Sequence, residues 1–425
     1  MSHAVVTGNN NDDDASSRRY HASKYDIWAL GITVVIGGQY ISWNAGLAAG
    51  VMANAIALGL TGTGYLCLTL SLAETVSALP FAGGAYGLSR VSMGYFCGFL
   101  VGCCETLQYI IYTSSSVLVL TDMLVVCLFP GITYFAIKPL LWILIYATIL
   151  ALHLRGHHLF WRTNALLAAV SLAVLVVYIG GSLPTVHFSQ YAGGPAWQFR
   201  GGGAAFLRHL PLTAWFFVGI ESLNTVSNMV ARPKHIIPFG QVACMLTLLV
   251  TSASVFFVAV SLPPGVASLA TDLVVLNAGF TTMLSIPAAA ATALSIPATF
   301  ATIYGFVFSY SSILASMAAS KLLPSHLAFH HPTYQSHPVA AAAGSALGLV
   351  FCAVTTAASP NIQLYNVCMT FGFLANVAQC WNFLYFSIRF KHVPRTFHSP
   401  LGVGGAVVAI AVSLVQLVAL LGFQE

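Results

Sequence analysis

The chain has 425 residues, 58% of them hydrophobic and only 6% charged, and its mean hydropathy is +0.85. Soluble domains carry about 25% charged residues, so 15 basic and 10 acidic side chains are too few to cover a soluble surface of this size. The composition excludes a soluble enzyme or a nucleic-acid binder and leaves an all-α membrane protein with many spans.

Met1 to Lys24 is polar, carries the run Asn9-Asn10-Asn11-Asp12-Asp13-Asp14 and has no apolar core of the signal-peptide type. It reads as a disordered cytoplasmic tail. Apolar runs near the roughly 20 residues needed to cross a hydrocarbon core of about 30 Å follow. There are eleven, near 28–50, 53–79, 94–129, 139–153, 164–183, 209–230, 239–262, 287–320, 338–357, 362–388 and 401–423. The region 264–290 is apolar but broken by Pro263-Pro264 and Pro287, and reads as a loop with a short helix.

Loop charges test this count. With the N-terminus in the cytoplasm, twelve basic residues lie inside (Arg18, Arg19, Lys24, Arg90, Arg155, Arg162, Arg232, Lys234, Lys321, Arg389, Lys391, Arg395) and three outside (Lys138, Arg200, Arg208). That bias fits the positive-inside rule. The expected organisation is a tail over 1–24, a first five-helix repeat over 25–183, and a Gly-rich external loop over 184–208. A second, inverted repeat over 209–388 and a cytoplasmic loop with an eleventh helix over 389–425 complete it. The nine cysteines all fall in apolar stretches, so they read as packing residues and not as a disulfide frame.

Two spans are interrupted at corresponding places. The first contains Gly37-Gly38-Gln39-Tyr40-Ile41-Ser42-Trp43, and the sixth contains Trp215-Phe216-Phe217-Val218-Gly219-Ile220-Glu221-Ser222. Glycine costs about 1 kcal/mol relative to alanine inside a helix, and unwound backbone at membrane depth is tolerated only where it lines a cavity or is buried in protein. Glycines also permit close helix packing. Their coincidence in two spans five apart favours a transport site at the centre of two repeats. An odd number of spans per repeat inverts the second.

Several segments resemble the amino acid–polyamine–organocation transporters. Leu79-Pro80-Phe81-Ala82-Gly83-Gly84-Ala85-Tyr86-Gly87 is similar to that family's link between helices two and three. Trp215 to Pro238 is similar to its sixth helix, and Met317-Ala318-Ala319-Ser320-Lys321-Leu322-Leu323-Pro324 to the end of its eighth. Gly38-Gln39-Tyr40-Ile41-Ser42-Trp43 most resembles the ethanolamine-permease branch. The resemblance runs from about residue 25 to 420. It implies a five-plus-five inverted-repeat core, alternating access, and a substrate between the broken helices, flanked by helices three, eight and ten. Members usually carry twelve spans, one more than are visible here.

A zwitterionic or amine substrate needs partners for its charged ends, and broken helices offer free N–H and C=O groups. The expected substrate contacts are Gly37, Gly38 and Gln39 in the first span and Gly219, Ile220 and Glu221 in the sixth. Tyr109 is expected from the third. Trp215 matches the aromatic that closes over substrate in the arginine–agmatine antiporter branch. A carboxylate at the bilayer centre costs at least about 2.5–3.5 kcal/mol, so each needs an explanation. Glu221, at the break, either binds the amine or takes up a proton that couples transport. Glu105 lies near Gln108, Tyr109 and Tyr112 and is a second coupling candidate, whereas Glu74 reads as a structural anchor and Asp122 as close to the outer water.

Some relatives hold a lysine in helix five in place of sodium. That position here is Ser171, which with Ser312 or Ser316 would instead help coordinate sodium. Ethanolamine-type members often have an acid where Gln39 stands, and Asn228 and Met229 replace the paired acids that often close helix six. Coupling is expected to use H+ or Na+, with no cofactor and no metal site. The histidines His153, His157 and His158, and His326, His330, His331 and His337, read as solvated loop residues. The expected protein is a non-enzymatic secondary transporter for amino acids or small amines in the plasma membrane, its partners the lipid bilayer and that substrate. A permease-like sensor that binds without net transport is the other reading.

Overall fold

In a computed structural model the described residues are 21–129, 137–331, 336–357 and 364–424, and no strand occurs among them. Of the expected tail only 21–24 falls within this set, and Arg18 and Arg19 of the charge count lie outside it. Among the described residues nine helical stretches are long and apolar enough to cross a membrane, and Lys138–Leu154 is a shorter apolar helix. The first segment is broken into Lys24–Val35, Ile36–Gln39 and Trp43–Ala49. Ser23 starts it with a capping box: its hydroxyl accepts from the Asp26 N–H, and the Asp26 carboxylate accepts from the Ser23 N–H at 2.8 Å.

The second segment is Val51–Ala78, the third Tyr95–Leu128, the fourth Lys138–Leu154 and the fifth His157–Ser182. The sixth is two tight helical stretches, Leu210–Phe216 and Ile220–Met229, and the seventh is Pro233–Val260. Ile296–Ala319, Pro338–Ala357, Leu364–Arg389 and Gly402–Gly422 are the eighth to eleventh. The fifth begins at His157 and not near residue 164, because Arg155-Gly156 alone make the turn. His153 is therefore no loop residue. It lies in the last turn of the fourth helix, only 8% exposed, with its ring 4.4 Å from that of Tyr304.

The 34-residue third helix is about 51 Å long, so it tilts within, or projects beyond, a hydrocarbon core of roughly 30 Å. It is the central pillar and packs against the eighth, ninth and tenth segments, while the second packs on the seventh and eleventh. Within the apolar window of the eighth segment 72% of residues are buried, against 28% in the fifth. The eighth is thus interior, and the fifth turns Leu166, Val176 and Val177 outward to lipid.

Hydrogen bonds sort the helix ends into two sets. On one side Ala22 N–H donates to Met229 O (3.0 Å), the Thr396 hydroxyl to Lys234 O (2.5 Å) and Arg90 to the Ser320 hydroxyl (3.4 Å). On the other Arg200 N–H donates to Ala49 O, His187 N–H to Ser261 O and the Gln424 amide to Arg208 O, each at 2.9 Å. The expected loop with a short helix at 264–290 holds two short helices, Val266–Leu269 and Asn277–Leu284, and ends where a third, Ala288–Ala293, opens the expected 287–320 span ahead of Ile296–Ala319. It folds onto the broken first segment: Val275 N–H donates to Tyr40 O (3.0 Å), and the Asn44 amide to Leu269 O (2.6 Å) and Asp272 O (2.8 Å).

Candidate functional site

The two breaks meet. A Cβ on Gly38 would overlap the backbone carbonyl of Trp215, so only glycine lets the first and sixth segments approach this closely. Gly37 N–H donates to the Thr302 hydroxyl of the eighth segment at 3.1 Å. Gly219 has φ +105°, a backbone conformation open to glycine at no steric cost. It separates Leu210–Phe216 from Ile220–Met229 and lets the second stretch begin at Ile220, beside Glu221.

Glu221 is fully buried. One carboxylate oxygen accepts from Gly219 N–H at 3.0 Å and the other from the Gln108 side-chain amide at 2.9 Å. The acid thus sits at the start of a helical stretch, where free N–H groups favour an anion. Gln108 comes from the third segment and is held from behind by the tenth: a Cβ on Gly372 would stand 2.8 Å from its amide nitrogen, and Cys368 Sγ contacts its backbone oxygen at 3.3 Å. Four fully or nearly fully buried polar atoms here have no partner among the described residues: Gln108 Oε1, Tyr112 OH, Trp215 Nε1 and Ser222 Oγ. Leaving such a group unpaired costs about 1–3 kcal/mol, and four in neighbouring segments around one carboxylate mark a place built for a polar guest.

An aromatic layer covers this place. Trp215 stacks on Tyr365 with ring centroids 4.6 Å apart and meets Tyr112 at 4.7 Å; Tyr112 and Tyr109 meet Phe306 at 4.7 and 5.2 Å. Tyr365 is fixed by donating its hydroxyl to Pro211 O. Beyond the layer, on the side of Arg208 and Gln424, opens a cavity of about 650 Å³ whose lining includes Trp215, Tyr365, Ser42, Ser115 and Asn366. Glu221 does not reach it.

The other expected residues are distributed as follows. The Gln39 side chain turns to the seventh segment and donates to Leu248 O at 3.3 Å, so only its backbone belongs to the break. Ile220 is buried beside Glu221. Tyr109 donates to Glu105 (3.2 Å), whose other oxygen accepts from Ala85 N–H at 2.9 Å, so Glu105 holds the start of the short helix Ala85–Met93. Glu74 pairs with Arg395 and accepts from Ser399 N–H at 2.8 Å, an anchor between the second segment and the 390–401 strap. Asp122 pairs with Lys138 at 2.8 Å, both partly exposed.

The serine set does not come together. Thr33 ties Asn164 to the first segment (3.2 Å) and accepts at its backbone from Thr302 (3.5 Å), which sets the level of the fifth against the eighth. Ser171 lies seven residues from Asn164 toward one face and Ser312 ten residues from Thr302 toward the other, about 25 Å apart along the helices. Ser171 is beside Tyr40, whose hydroxyl donates to its carbonyl at 2.5 Å. The Ser312 hydroxyl donates to Phe308 O in its own helix at 3.0 Å, and Ser316 lies one turn further away. One ion cannot touch both ends of this set. Gln108 enters the sequence reading only as a neighbour of Glu105, with no contact of its own to Glu221. Its signal was the spacing Glu105, Gln108, Tyr109, Tyr112, which puts all four on one helix face.

Comparison with known proteins agrees with this architecture. The family model described as amino acid permease matches residues 26–423. A protein of Rhizobium meliloti (strain 1021) described as an uncharacterized transporter is 23% identical over 324 residues, covering 73% of this chain and 67% of its own. The chain is a multi-pass membrane protein of the transporter kind, and it belongs to the amino acid permease family.

Proposed function

We propose that the chain is a secondary active transporter that moves an amino acid or related small amine by alternating access, with Glu221 at the substrate and coupling centre. The carrying observation is the buried carboxylate held by Gly219 and Gln108 at the meeting of two broken segments, among unpartnered polar groups. In this reading the amine docks against Glu221 and Gln108 Oε1, and Tyr112 OH and Trp215 Nε1 supply donors for its acceptor end. Trp215, Tyr112 and Tyr365 form the gate between the site and the 650 Å³ cavity, which the charge bias assigns to the outside. The N-terminus is then cytoplasmic.

Support for a five-plus-five inverted repeat within the proposed eleven spans comes from contacts between counterparts. The second packs on the seventh, the third on the eighth and the fourth on the ninth, the pairing expected of halves related by a twofold axis. Coupling through protonation of Glu221 fits better than sodium bound by Ser171 with Ser312, which lie too far apart. Uptake into proteoliposomes, comparing neutral, cationic and anionic amino acids and simple amines under imposed proton or sodium gradients, tests this reading. Gradient-dependent accumulation of one class supports it; saturable binding without accumulation of any would replace it with a sensor.

A further inference from the structure

Away from this site, the seventh segment opens with Arg232, Lys234 and His235 clustered at its first turn. Its next turns wall a groove of about 290 Å³ lined by Lys234, Phe239, Val242, Leu246, Thr396 and Phe397. Phe239 and Leu246 are half exposed, and the groove is apolar along the helix and basic at its head. Lys24 adds a further cation, its ammonium 4.8 Å from the Phe239 ring centroid.

We propose that this groove is a binding site for one anionic phospholipid of the leaflet on the Arg232 side. Charge selects the occupant. Lys234, His235 and Lys24 surround the head of the groove, and the described acids of the two segments packed on the seventh near this end are already engaged, Asp26 by Ser23 and Glu74 by Arg395 and Ser399. Basic pockets at the ends of membrane helices suit anionic headgroups. Length agrees: Lys234 to Leu246 is twelve residues, about 18 Å of helix, close to half of a hydrocarbon core of roughly 30 Å. A headgroup at Lys234 therefore leaves its acyl chain along Phe239, Val242 and Leu246, within one leaflet. The groove's far wall is the 390–401 strap, tied by Thr396 to Lys234 O (2.5 Å) and by Phe397 O to the Ser77 hydroxyl (3.1 Å). The lipid thus bridges the link after the sixth segment to the strap.

The test uses the full chain purified from vesicles of phosphatidylcholine containing phosphatidylglycerol, with retained lipid counted by mass spectrometry. One phosphatidylglycerol should stay bound in preference to phosphatidylcholine. Retention should fall at least tenfold in the double variant Lys234→Gln/His235→Gln and in Val242→Trp, which fills the groove, and stay unchanged in Lys391→Gln, an exposed cation on the same side. Equal retention of the two lipids overturns the proposal, as does wild-type retention in both groove variants or an equal loss in Lys391→Gln. The wild-type comparison stands even if a variant fails to fold. Since lipid retention is read without transport, the result is independent of the proposed transport function.

Discussion

Gln108→Leu probes how the carboxylate is held. The side-chain amide of Gln108 donates to Glu221 at 2.9 Å in a site with no exposure to water. Leucine keeps the bulk that packs against Gly372 but removes this donor, leaving Glu221 the one from Gly219 N–H. A hydrogen bond to a charged group contributes about 1.5–3 kcal/mol, and each 1.36 kcal/mol is tenfold, so the loss corresponds to roughly 10- to 150-fold. Because the partner amide oxygen is also proposed to receive the amine, the loss should appear mainly in KM. The assay is initial uptake into proteoliposomes over a range of substrate concentrations, with the melting temperature of the detergent-solubilised protein as a folding control. An unchanged kcat/KM in a normally folded Gln108→Leu protein would refute the reasoning.

Arg395→Leu should destabilise the protein by about 3–5 kcal/mol, because it strands the buried Glu74 carboxylate. Melting of the double variant Glu74→Gln/Arg395→Leu should recover much of that loss, and no recovery would mean the ion pair is not what anchors the strap. Gly38→Ala should abolish transport, since the new methyl meets the Trp215 carbonyl and forces the two broken segments apart. Gly59→Ala is the control: nothing lies within 4 Å of a Cβ there, so uptake should persist with stability unchanged or slightly raised. Transport by Gly38→Ala at the wild-type rate would remove the close approach from the account.

Much of the architecture is legible in the sequence because lipid leaves a strong mark on it. Apolar runs near twenty residues locate the segments, and the glycines at 37–38 and 219 mark both breaks. Boundaries are less legible where a helix begins in polar residues. The fifth starts at His157-His158, and His153 reads as a loop residue although Phe160 and Tyr304 enclose it. The site is half legible. Glu221 stands out by its cost in lipid, but Gln108 becomes its partner only when the third segment is brought beside the sixth, a register that no local pattern carries. The Ser171 and Ser312 pairing fails for the same reason. Their hydroxyls suit an ion, yet antiparallel helices carry them to opposite ends. The 264–290 region reads as a loop with a short helix because prolines break it, and its cover over Tyr40 and Asn44 depends on long-range hydrogen bonds.

The central claim is that Glu221 couples a gradient to substrate movement. Its most direct test is gradient-driven accumulation in proteoliposomes by wild type and Glu221→Gln, compared with substrate-for-substrate exchange in the same vesicles. Glutamine keeps the shape and an acceptor toward Gly219 but cannot ionise. The account predicts that Glu221→Gln folds and melts like the wild type and loses accumulation. Wild-type accumulation by that variant would contradict it.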